Sequence, residues 1–292
     1  MRLRWDKSPK LSLRSRQTWD RNDMDLYLTG KRALITGSSS GIGAECARRL
    51  AQEGCKVVVH GRNRARAEAV AQEIVQKGGE AAVTNGDLES DEEAWQVARE
   101  AQDAFGGIDI LVNNAGLLIR EDNPDWTTVP TSDWLRSFNV NVVVAVRLAQ
   151  KLVPPMIERG WGRVINISSV AGYQSLGQLL EYGPAKAGVH NLTINLSHMV
   201  SSKGVTVNTI APGTIMTPGI ESFMASMVGQ PGWADTREAN EEIYASQLYP
   251  QPVPRLGKTE EIAAAVALIA SPLSDYTTGA QLRIDGGISK AL

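Results

Sequence analysis

Short apolar segments alternate with longer amphipathic segments along the chain from residue 31 onward. The apolar segments have the length and composition of buried strands, and seven are found: Ala33–Ile35, Lys56–Val59, Ala81–Val83, Ile108–Val112, Arg163–Ile167, Val205–Ile210 and Gln281–Ile284. The segments between them place apolar residues at the spacing of a helix. Because strands that alternate with helices form a parallel sheet covered on both faces, the pattern predicts a single α/β domain, layered α/β/α around a doubly wound parallel sheet.

Signals for helix starts support this alternation. Ser90 with Glu93 three residues later has the pattern of a capping box, and Thr259 precedes an apolar series at helical spacing. A doubly wound sheet binds its ligands outside the carboxyl ends of its strands. We therefore expect the functional residues to follow strands.

Two segments depart from the alternation. Residues 1–23 mix basic and acidic side chains without hydrophobic periodicity, which predicts an N-terminal extension ahead of a domain at 24–292. This extension is either a solvated tail or an arm that packs on a neighbouring subunit. Residues 218–257 carry aromatic residues among prolines and glycines, and we interpret them as a lid over a substrate, with surface packing or an oligomer contact as the alternative.

Composition argues against several classes of protein. A hydrophobic content of 42% and a formal net charge of -2 indicate a globular protein without general attraction to nucleic acid or to anionic membranes. We find no apolar run of the roughly 18–20 residues that cross a bilayer and no secretory signal, which favours the cytoplasm. Cys46 and Cys55 are expected to be small buried residues, and the histidines form no metal-ligand pattern, so no metal is predicted.

A glycine-rich loop follows the first predicted strand. The sequence from Gly37 to Gly43 reads GSSSGIG and leads into a helix. Glycine permits a tight turn and a close approach of the backbone to a pyrophosphate, and the N-terminus of a helix favours anionic oxygens. The spacing differs from the generic dinucleotide pattern G-x-G-x-x-G, so a plain turn is the alternative.

The loop Thr36–Gly43 resembles the cofactor loop of the short-chain dehydrogenase/reductase family. The resemblance extends over about residues 28–288 through motifs in the same order: Asn113–Gly116, Ser169, Tyr182, Lys186, Pro212–Gly213 and Asp285–Gly287. It implies a Rossmann-type fold, a nicotinamide cofactor and a small carbonyl or alcohol substrate, with acyl thioesters among the candidates. It also implies a homotetramer, or a homodimer, formed through the segments 132–151 and 181–203 and the last strand.

The end of the second strand distinguishes the two nicotinamide cofactors. An acidic residue there binds the 2′-hydroxyl of NAD, whereas an arginine accommodates the 2′-phosphate of NADP. The chain has Arg62 at this corner and no carboxylate, so we expect NADP(H) rather than NAD(H), with a solvated Arg62 as the alternative. The resemblance places the cofactor against Gly37, Ser39, Ser40, Gly41, Ile42, Gly43, Arg62, Asp87, Leu88, Asn114, Ala115, Gly116, Tyr182, Lys186, Pro212, Gly213, Ile215 and Thr217.

Tyr182 and Lys186 are one helical turn apart, so their side chains share a face of the helix. A nearby ammonium stabilises a phenolate, and we expect the lysine to lower the pKa of the tyrosine and make it an acid/base. Because proline fits the first turn of a helix and disrupts its interior, Pro184 predicts that this helix begins at about Glu181.

The resemblance assigns roles to two further polar residues. It makes Ser169 the residue that orients and polarises the substrate oxygen, with Ser168 as a rival. It makes Asn141 the residue that holds a water beside the lysine, with Asn139 as the alternative. The predicted catalytic set is Asn141, Ser169, Tyr182 and Lys186.

The leading hypothesis is an NADP(H)-dependent oxidoreductase of a carbonyl or secondary alcohol, similar to 3-oxoacyl-acyl-carrier-protein reductases. An acyl-carrier substrate requires a basic docking surface, for which Arg147, Lys151, Arg159 and Arg163 are candidates. The first alternative is an NAD(P)-dependent dehydrogenase of a sugar or another secondary alcohol. A non-catalytic dinucleotide sensor is the alternative from another class, and the complete reaction centre argues against it.

Overall fold

The computed structural model describes residues 24–119, 125–176 and 179–290, so the predicted extension 1–23 lies outside the described residues. Its strands are β1 (Arg32–Ile35), β2 (Lys56–His60), β3 (Glu80–Thr84), β4 (Ile110–Asn113), β5 (Gly162–Ile167), β6 (Val205–Pro212), β7 (Ile215–Met216), β8 (Gly257–Lys258) and β9 (Gln281–Ile284). Seven of them form one parallel sheet in the order β3-β2-β1-β4-β5-β6-β9. The predicted doubly wound sheet is confirmed, and the order reverses between β1 and β4.

Helices cover both faces of this sheet. The helices of the described residues are α1 (Gly41–Gln52), α2 (Arg64–Gln76), α3 (Asp91–Phe105), α4 (Thr131–Phe138), α5 (Val144–Arg159), α6 (Tyr182–Val200), α7 (Pro218–Ser226), α8 (Arg237–Ile243) and α9 (Thr259–Ala270). One hydrophobic core joins α1, α2 and α9 to the sheet, and a second joins α3 and α5 to the opposite face. Cys46 and Cys55 are buried in the first core, as predicted.

Local sequence sets the ends of several helices. The Ser90 side chain accepts a hydrogen bond from the Glu93 amide at 3.3 Å, which caps α3. In a capping box the Glu93 carboxylate would also accept a hydrogen bond from the Ser90 amide. Here it accepts from the Asp87 amide at 2.6 Å instead. α6 begins at Tyr182, directly after Glu181, which confirms the predicted start, and Pro184 lies in the first turn.

The pair β7 and β8 forms a second, two-stranded parallel sheet that the sequence pattern did not reveal. These strands flank residues 218–257, which we call the lid segment. The lid segment contains α7, α8 and a π-helical turn at Tyr244–Leu248. It has a hydrophobic core of its own, formed by Met224, Tyr244, Ala245 and Leu256 with the surrounding side chains.

A buried asparagine fixes the lid segment internally. Asn240 has no exposed surface. Its side chain accepts a hydrogen bond from the Ala234 amide at 2.7 Å and donates one to the Met224 carbonyl at 3.2 Å. The lid segment is therefore an ordered two-helix unit whose two ends meet at β7 and β8.

The helical run Thr131–Arg159 joins α4 and α5 through a π-helical turn at Asn139–Val143. By length and composition an 18-residue stretch of this run, with a mean hydropathy of 1.3, is apolar enough to cross a membrane, which differs from the expectation that no such run exists. Half of that stretch is buried inside the fold, where α5 packs on the sheet. Such burial is typical of a core helix in a globular protein.

Candidate active site

The loops after β1 and β4 are tied together by side chains. Thr36 accepts hydrogen bonds from the amides of Asn114 and Ala115 at 3.0 and 2.9 Å. The Asn114 amide group donates in return to the carbonyls of Thr36 and Gly37 at 2.9 and 3.2 Å. These contacts hold the glycine loop against the first turn after β4, at the point where the strand order reverses.

Glycine is required in this loop because the chain approaches itself closely. Gly37 has a φ of 63°, and a Cβ there would lie 3.0 Å from the Ala115 Cα. A Cβ at Gly43 would lie 2.4 Å from the Asn114 side-chain nitrogen. The loop leads directly into α1, whose first turn has no acidic residue and whose Ser40 side chain makes no capping bond. The N-terminal amides of α1 are thus suited to an anionic group.

A cavity of about 480 Å³ opens along the carboxyl ends of β1, β2, β3 and β4. Half of its lining was predicted from the sequence: Gly37, Ser39, Ser40, Arg62, Asp87, Leu88, Asn114, Ala115 and Gly116. The other half was not predicted: His60, Gly61, Asn63, Arg66, Gly86, Glu89, Leu117, Val140 and Val144. The structure therefore brings the glycine loop and the predicted ribose corner together around one cavity.

Two arginines line the cavity where β2 ends. Arg62 and Arg66 are both exposed, and among the described residues neither guanidinium takes part in an ion pair. The neighbouring Arg64, by contrast, is paired with Glu68 at 2.7 Å. Sequence reasoning missed Arg66, although its spacing of four residues from Arg62 was a usable signal.

The remaining predicted cofactor residues lie around the cavity without lining it. Gly41 packs beside Thr217, since a Cβ there would lie 3.5 Å from the threonine methyl group. Thr217 caps α7, and Ile215 is buried in β7. Gly213, which follows Pro212 at the end of β6, lies against Asp285 of the closing Asp285–Gly287 turn. Ile42 packs on the first hydrophobic core.

Tyr182 and Ser169 meet at the start of α6. Their hydroxyls are hydrogen-bonded, and Ser169 also accepts from the Ala171 amide at 3.2 Å. The rival Ser168 is buried and donates its hydrogen bond to the Lys186 carbonyl at 2.9 Å. Ser168 therefore anchors β5 to α6, and Ser169 is the serine that faces the tyrosine.

Lys186 lies one helical turn after Tyr182 on α6. Its ammonium is 5.4 Å from the centroid of the Tyr182 ring and donates to the Ile167 carbonyl at 3.0 Å. Burial lowers the pKa of Lys186 to about 8. Burial raises the pKa of Tyr182 to about 12, and the hydrogen bond with Ser169 opposes that rise. The structure thus differs from the expected lowering of the tyrosine pKa, because burial disfavours the charged phenolate.

Asn141 and Asn139 both lie in the π-helical turn between α4 and α5. The Asn141 side chain bonds to the Leu117 backbone in both directions, at 2.9 and 3.3 Å. A Cβ on Gly116 would lie 2.9 Å from the Asn141 oxygen and 3.4 Å from the Lys186 nitrogen, so Asn141 and Lys186 flank the same glycine. Asn139 instead bonds to Arg147 and to the Glu89 carbonyl. Asn141 is therefore the asparagine beside the lysine.

The unpredicted lining residues gave different signals. Val140, Val144 and Leu117 form an apolar wall, and an apolar residue in a helix has the same sequence pattern as a core residue. His60 was expected to be a core or surface histidine, and it is buried. Among the residues that the structure describes, no group of three or more histidine, cysteine or acidic side chains is arranged to hold a metal ion.

Comparisons with known proteins identify the family. The sequence profile of the short chain dehydrogenase family matches residues 31–227. The chain is 36% identical over 268 residues to a 3-oxoacyl-[acyl-carrier-protein] reductase of Vibrio cholerae, covering 90% of this chain and 99% of the relative. The structure of an L-sorbose reductase from Gluconobacter frateurii, complexed with NADPH and L-sorbose, superposes with a TM-score of 0.86 at 31% identity, covering 92% of this chain and 100% of the other.

A hydroxysteroid dehydrogenase extends the range of similar proteins. The structure of 7α-hydroxysteroid dehydrogenase complexed with NADH and 7-oxoglycochenodeoxycholic acid has a TM-score of 0.79 at 33% identity, covering 90% of this chain and 96% of the other. Relatives with NADPH and with NADH therefore share this fold and differ in substrate. The chain belongs to the short-chain dehydrogenase family and is an NAD(P)-dependent oxidoreductase that acts on CH–OH or C=O groups.

Proposed function

We propose that the protein is an NADP(H)-dependent reductase of a small ketone, and in reverse a dehydrogenase of the secondary alcohol, with Tyr182 as its acid/base. The hydrogen bond between the hydroxyls of Ser169 and Tyr182, next to the buried Lys186, carries this proposal. Two hydroxyls that converge in this way can hold one carbonyl oxygen between them.

Tyr182, Ser169 and Lys186 each have a different role in the proposed reaction. Tyr182 is a neutral phenol at physiological pH, because its pKa is about 12, and it donates its proton to the substrate oxygen as negative charge develops there. Ser169 donates a second hydrogen bond that orients and polarises the same oxygen. Lys186 is protonated below its pKa of about 8 and places a positive charge beneath the phenol. When bound, the nicotinamide supplies a hydride to the substrate carbon or accepts one from it.

Asn141 has a supporting role in this proposal. Its side-chain oxygen lies beside Gly116, close to the Lys186 ammonium. We assign to it the placement of the polar groups and water from which the lysine and the tyrosine recover a proton. The π-helical turn that carries it departs from regular helical bonding, and such turns are frequent at functional sites.

The described residues fit NADP. The cavity of about 480 Å³ runs from the glycine loop to the unpaired Arg62 and Arg66, which supports a 2′-phosphate at that corner. Ser39 and Ser40 line the same cavity and provide hydroxyl donors. Pro212–Gly213, Ile215 and Thr217 would contact the nicotinamide end.

The lid segment, residues 218–257, would cover the substrate. Its root is the β7 and β8 pair, and Thr217 at the start of α7 touches Gly41 of the glycine loop. On its return the lid segment packs on the closing glycine turn, where a Cβ on Gly287 would lie 2.9 Å from Pro252. Both contacts support a role of the lid segment as the substrate cover.

The three arginines and one lysine that were candidates for an acyl-carrier docking surface make other contacts within the protein. Arg163 is buried and bonds to Asp275, and Arg159 bonds to Asp109, both at the edge of the sheet opposite the cavity. Arg147 bonds to Asp91 at 2.5 Å. The Lys151 ammonium lies 4.1 Å from the centroid of the Trp95 ring. These contacts favour a free small ketone, such as a sugar, over a carrier-bound acyl group.

The likeness to a 3-oxoacyl-acyl-carrier-protein reductase keeps 3-oxoacyl thioesters as the second candidate substrate class. A thioester of a small carrier such as coenzyme A would need no protein docking surface. The likeness to L-sorbose reductase supports the first class, sugars and other secondary alcohols.

We propose a homotetramer, with a homodimer as the alternative. Exposed apolar side chains lie on the helices that were expected to form subunit contacts: Leu135, Phe138, Ile194 and Met199. Leu282 is exposed on β9 at the edge of the sheet. Light scattering coupled to size-exclusion chromatography tests this assembly, and a monomer would contradict it.

Cofactor binding and turnover test the function. Purified protein is titrated with NADPH and NADH by fluorescence, and oxidation of each is followed with sugars, simple ketones and 3-oxoacyl thioesters. We expect NADPH to bind more tightly and to drive reduction of at least one ketone. Binding of cofactor without turnover on any class would contradict the enzymatic role and favour a sensor.

A further inference from the structure

The imidazole of His60 bridges two loops of the cofactor cavity. His60 is the last residue of β2, and its side chain is 2% exposed. Its Nδ1 accepts a hydrogen bond from the Gly37 amide at 3.1 Å. Its Nε2 lies 3.2 Å from the Gly86 carbonyl, in the loop after β3.

These two partners fix the protonation state of the ring. A backbone amide can only donate, so Nδ1 must carry no proton, and a carbonyl can only accept, so Nε2 must carry one. The bridge therefore requires the neutral ring. Burial lowers the pKa of His60 to about 4, with Asp87 raising it and Arg62 lowering it further, while Glu93 faces the same loop from α3.

His60 ties the glycine loop to the loop after β3, whereas Asn114 ties it to the turn after β4. Asn114 and Thr36 tie the loop to the turn after β4, as described above. On the other side His60 also binds Ser38, whose amide donates to the His60 carbonyl at 2.7 Å and whose hydroxyl accepts from the His60 amide at 2.9 Å. Of these contacts, only the imidazole ring extends the connection to Gly86.

Gly37, His60 and Gly86 all line the cavity. The glycine loop would face the phosphates, and the loop that carries Gly86 and Asp87 would face the adenine. One side chain, the His60 imidazole, forms hydrogen bonds with both of these walls.

We propose that His60 is a positioning residue for the cofactor, which fixes the glycine loop relative to the loop after β3 and so presets the phosphate and adenosine half of the cavity. This inference rests on the proposed binding of a nicotinamide cofactor in that cavity. Its role is indirect, through the Gly37 amide and the Gly86 carbonyl.

Three substitutions separate the two bonds. His60→Leu removes both. His60→Asn retains an acceptor near the position of Nδ1 and can still bind the Gly37 amide. His60→Gln retains a donor near the position of Nε2 and can still bind the Gly86 carbonyl. Thr84→Val is the matched control, because Thr84 is the buried cross-strand neighbour of His60 on β3 and bonds to Glu100 outside the cavity.

Calorimetric titration with NADP⁺ and with adenosine 2′,5′-bisphosphate measures the effect on binding. The loss of both bonds in His60→Leu is expected to raise both dissociation constants about 10-fold, and His60→Asn to recover affinity to within about threefold of wild type. His60→Gln should lie between the two, and Thr84→Val should bind like wild type. Recovery by a polar variant distinguishes positioning from simple loss of a large side chain.

Hydrogen–deuterium exchange of the free protein provides a readout that needs no ligand. We expect faster exchange in the glycine loop and in the loop after β3 of His60→Leu, and unchanged exchange there in Thr84→Val. If His60→Leu does not fold, the ordering of wild type, His60→Asn and His60→Gln carries the same test.

The outcomes separate this inference from the function on which it rests. Wild-type affinity and exchange in all three His60 variants would overturn the inference while the wild-type protein still binds cofactor. An equal loss in Thr84→Val would overturn it as well, because the effect would then be a general weakening of the sheet. Failure of the wild-type protein to bind any nicotinamide cofactor would overturn the proposed function and this inference together.

Discussion

The loops around the cofactor cavity and the lid segment are built in different ways. The loops are held by side chains that bridge one strand end to the next, such as Thr36, Asn114 and His60. The lid segment packs around its own aromatic core, where Phe223 contacts Trp233 at 5.6 Å and Tyr244 at 6.3 Å between ring centroids. Its ends are joined by the short pair β7 and β8.

This difference indicates that the two regions have separate functions. The strand ends fix the reaction centre and the cofactor cavity, which the chemistry shares across the family. The lid segment can vary its side chains around a separate core without disturbing the sheet. Substitutions in the two regions should therefore affect different steps, and four experiments test that separation.

The largest effect is expected at the reaction centre. Tyr182→Phe removes the hydroxyl proposed as the proton donor, so kcat should fall by about 10³-fold while the NADPH dissociation constant changes little. Steady-state kinetics and fluorescence titration measure the two quantities. Tyr276→Phe is the control, because Tyr276 is fully exposed and distant from the site. Residual turnover near the wild-type rate would exclude Tyr182 as the acid/base.

The second effect concerns cofactor choice. Arg62→Ala should weaken NADPH by about 30-fold through loss of charged hydrogen bonds to the 2′-phosphate, and leave NADH unchanged. Arg64→Ala is the matched control, since Arg64 is paired with Glu68 and does not line the cavity. Equal weakening of both cofactors would contradict the assignment of this corner. The double variant with Arg62→Ala and Arg66→Ala should have a weaker preference for NADPH than Arg62→Ala alone.

The third effect is the pH dependence of ketone reduction. Burial lowers the pKa of Lys186 to about 8, so the ammonium is present below pH 8 and is lost as the pH rises through that value. Tyr182 remains protonated over this range, because its pKa is about 12. At saturating NADPH, kcat/KM should be constant below pH 8 and fall by up to about tenfold per unit above it. A flat profile to pH 10 would show that the charge of Lys186 is not needed.

The smallest effect is expected in the lid segment. Asn240→Leu leaves the Ala234 amide and the Met224 carbonyl unpaired in the lid core, which costs about 1–3 kcal/mol of local stability. We expect KM for the ketone to rise several-fold and NADPH affinity to stay the same. Steady-state kinetics and a cofactor titration of the same preparation measure both. A parallel loss of NADPH affinity would mean that the lid segment and the cofactor loops are one unit.

The sequence predicted the sheet because each buried strand carries its own apolar pattern. All seven strands appear within a few residues of their expected bounds, and α6 begins where Pro184 required it. The glycine loop and the set Ser169, Tyr182 and Lys186 lie at strand ends and at the start of α6, where the sequence predicted them, and their catalytic and binding roles stay predictions. The lid helices and the β7 and β8 pair were not specified, because their pairing joins residues about forty positions apart in the chain.

Only the tertiary structure distinguished the roles of neighbouring residues of the same type. Ser168 and Ser169 differ in direction, since one binds the Lys186 carbonyl and the other binds Tyr182. The pKa of that tyrosine likewise depends on burial and on its hydrogen bond with Ser169, which spacing along a helix does not set.

The sequence by itself determined the strands of the main sheet, the order in which they follow one another and the chemical groups available at the strand ends. The tertiary structure alone decided which of those groups meet. His60 became the bridge between two loops, and Arg66 joined Arg62 at the cavity, through contacts between separate strands and loops. The physical reason is that periodicity and propensity act within a segment, whereas hydrogen bonds, burial and pKa values arise between segments.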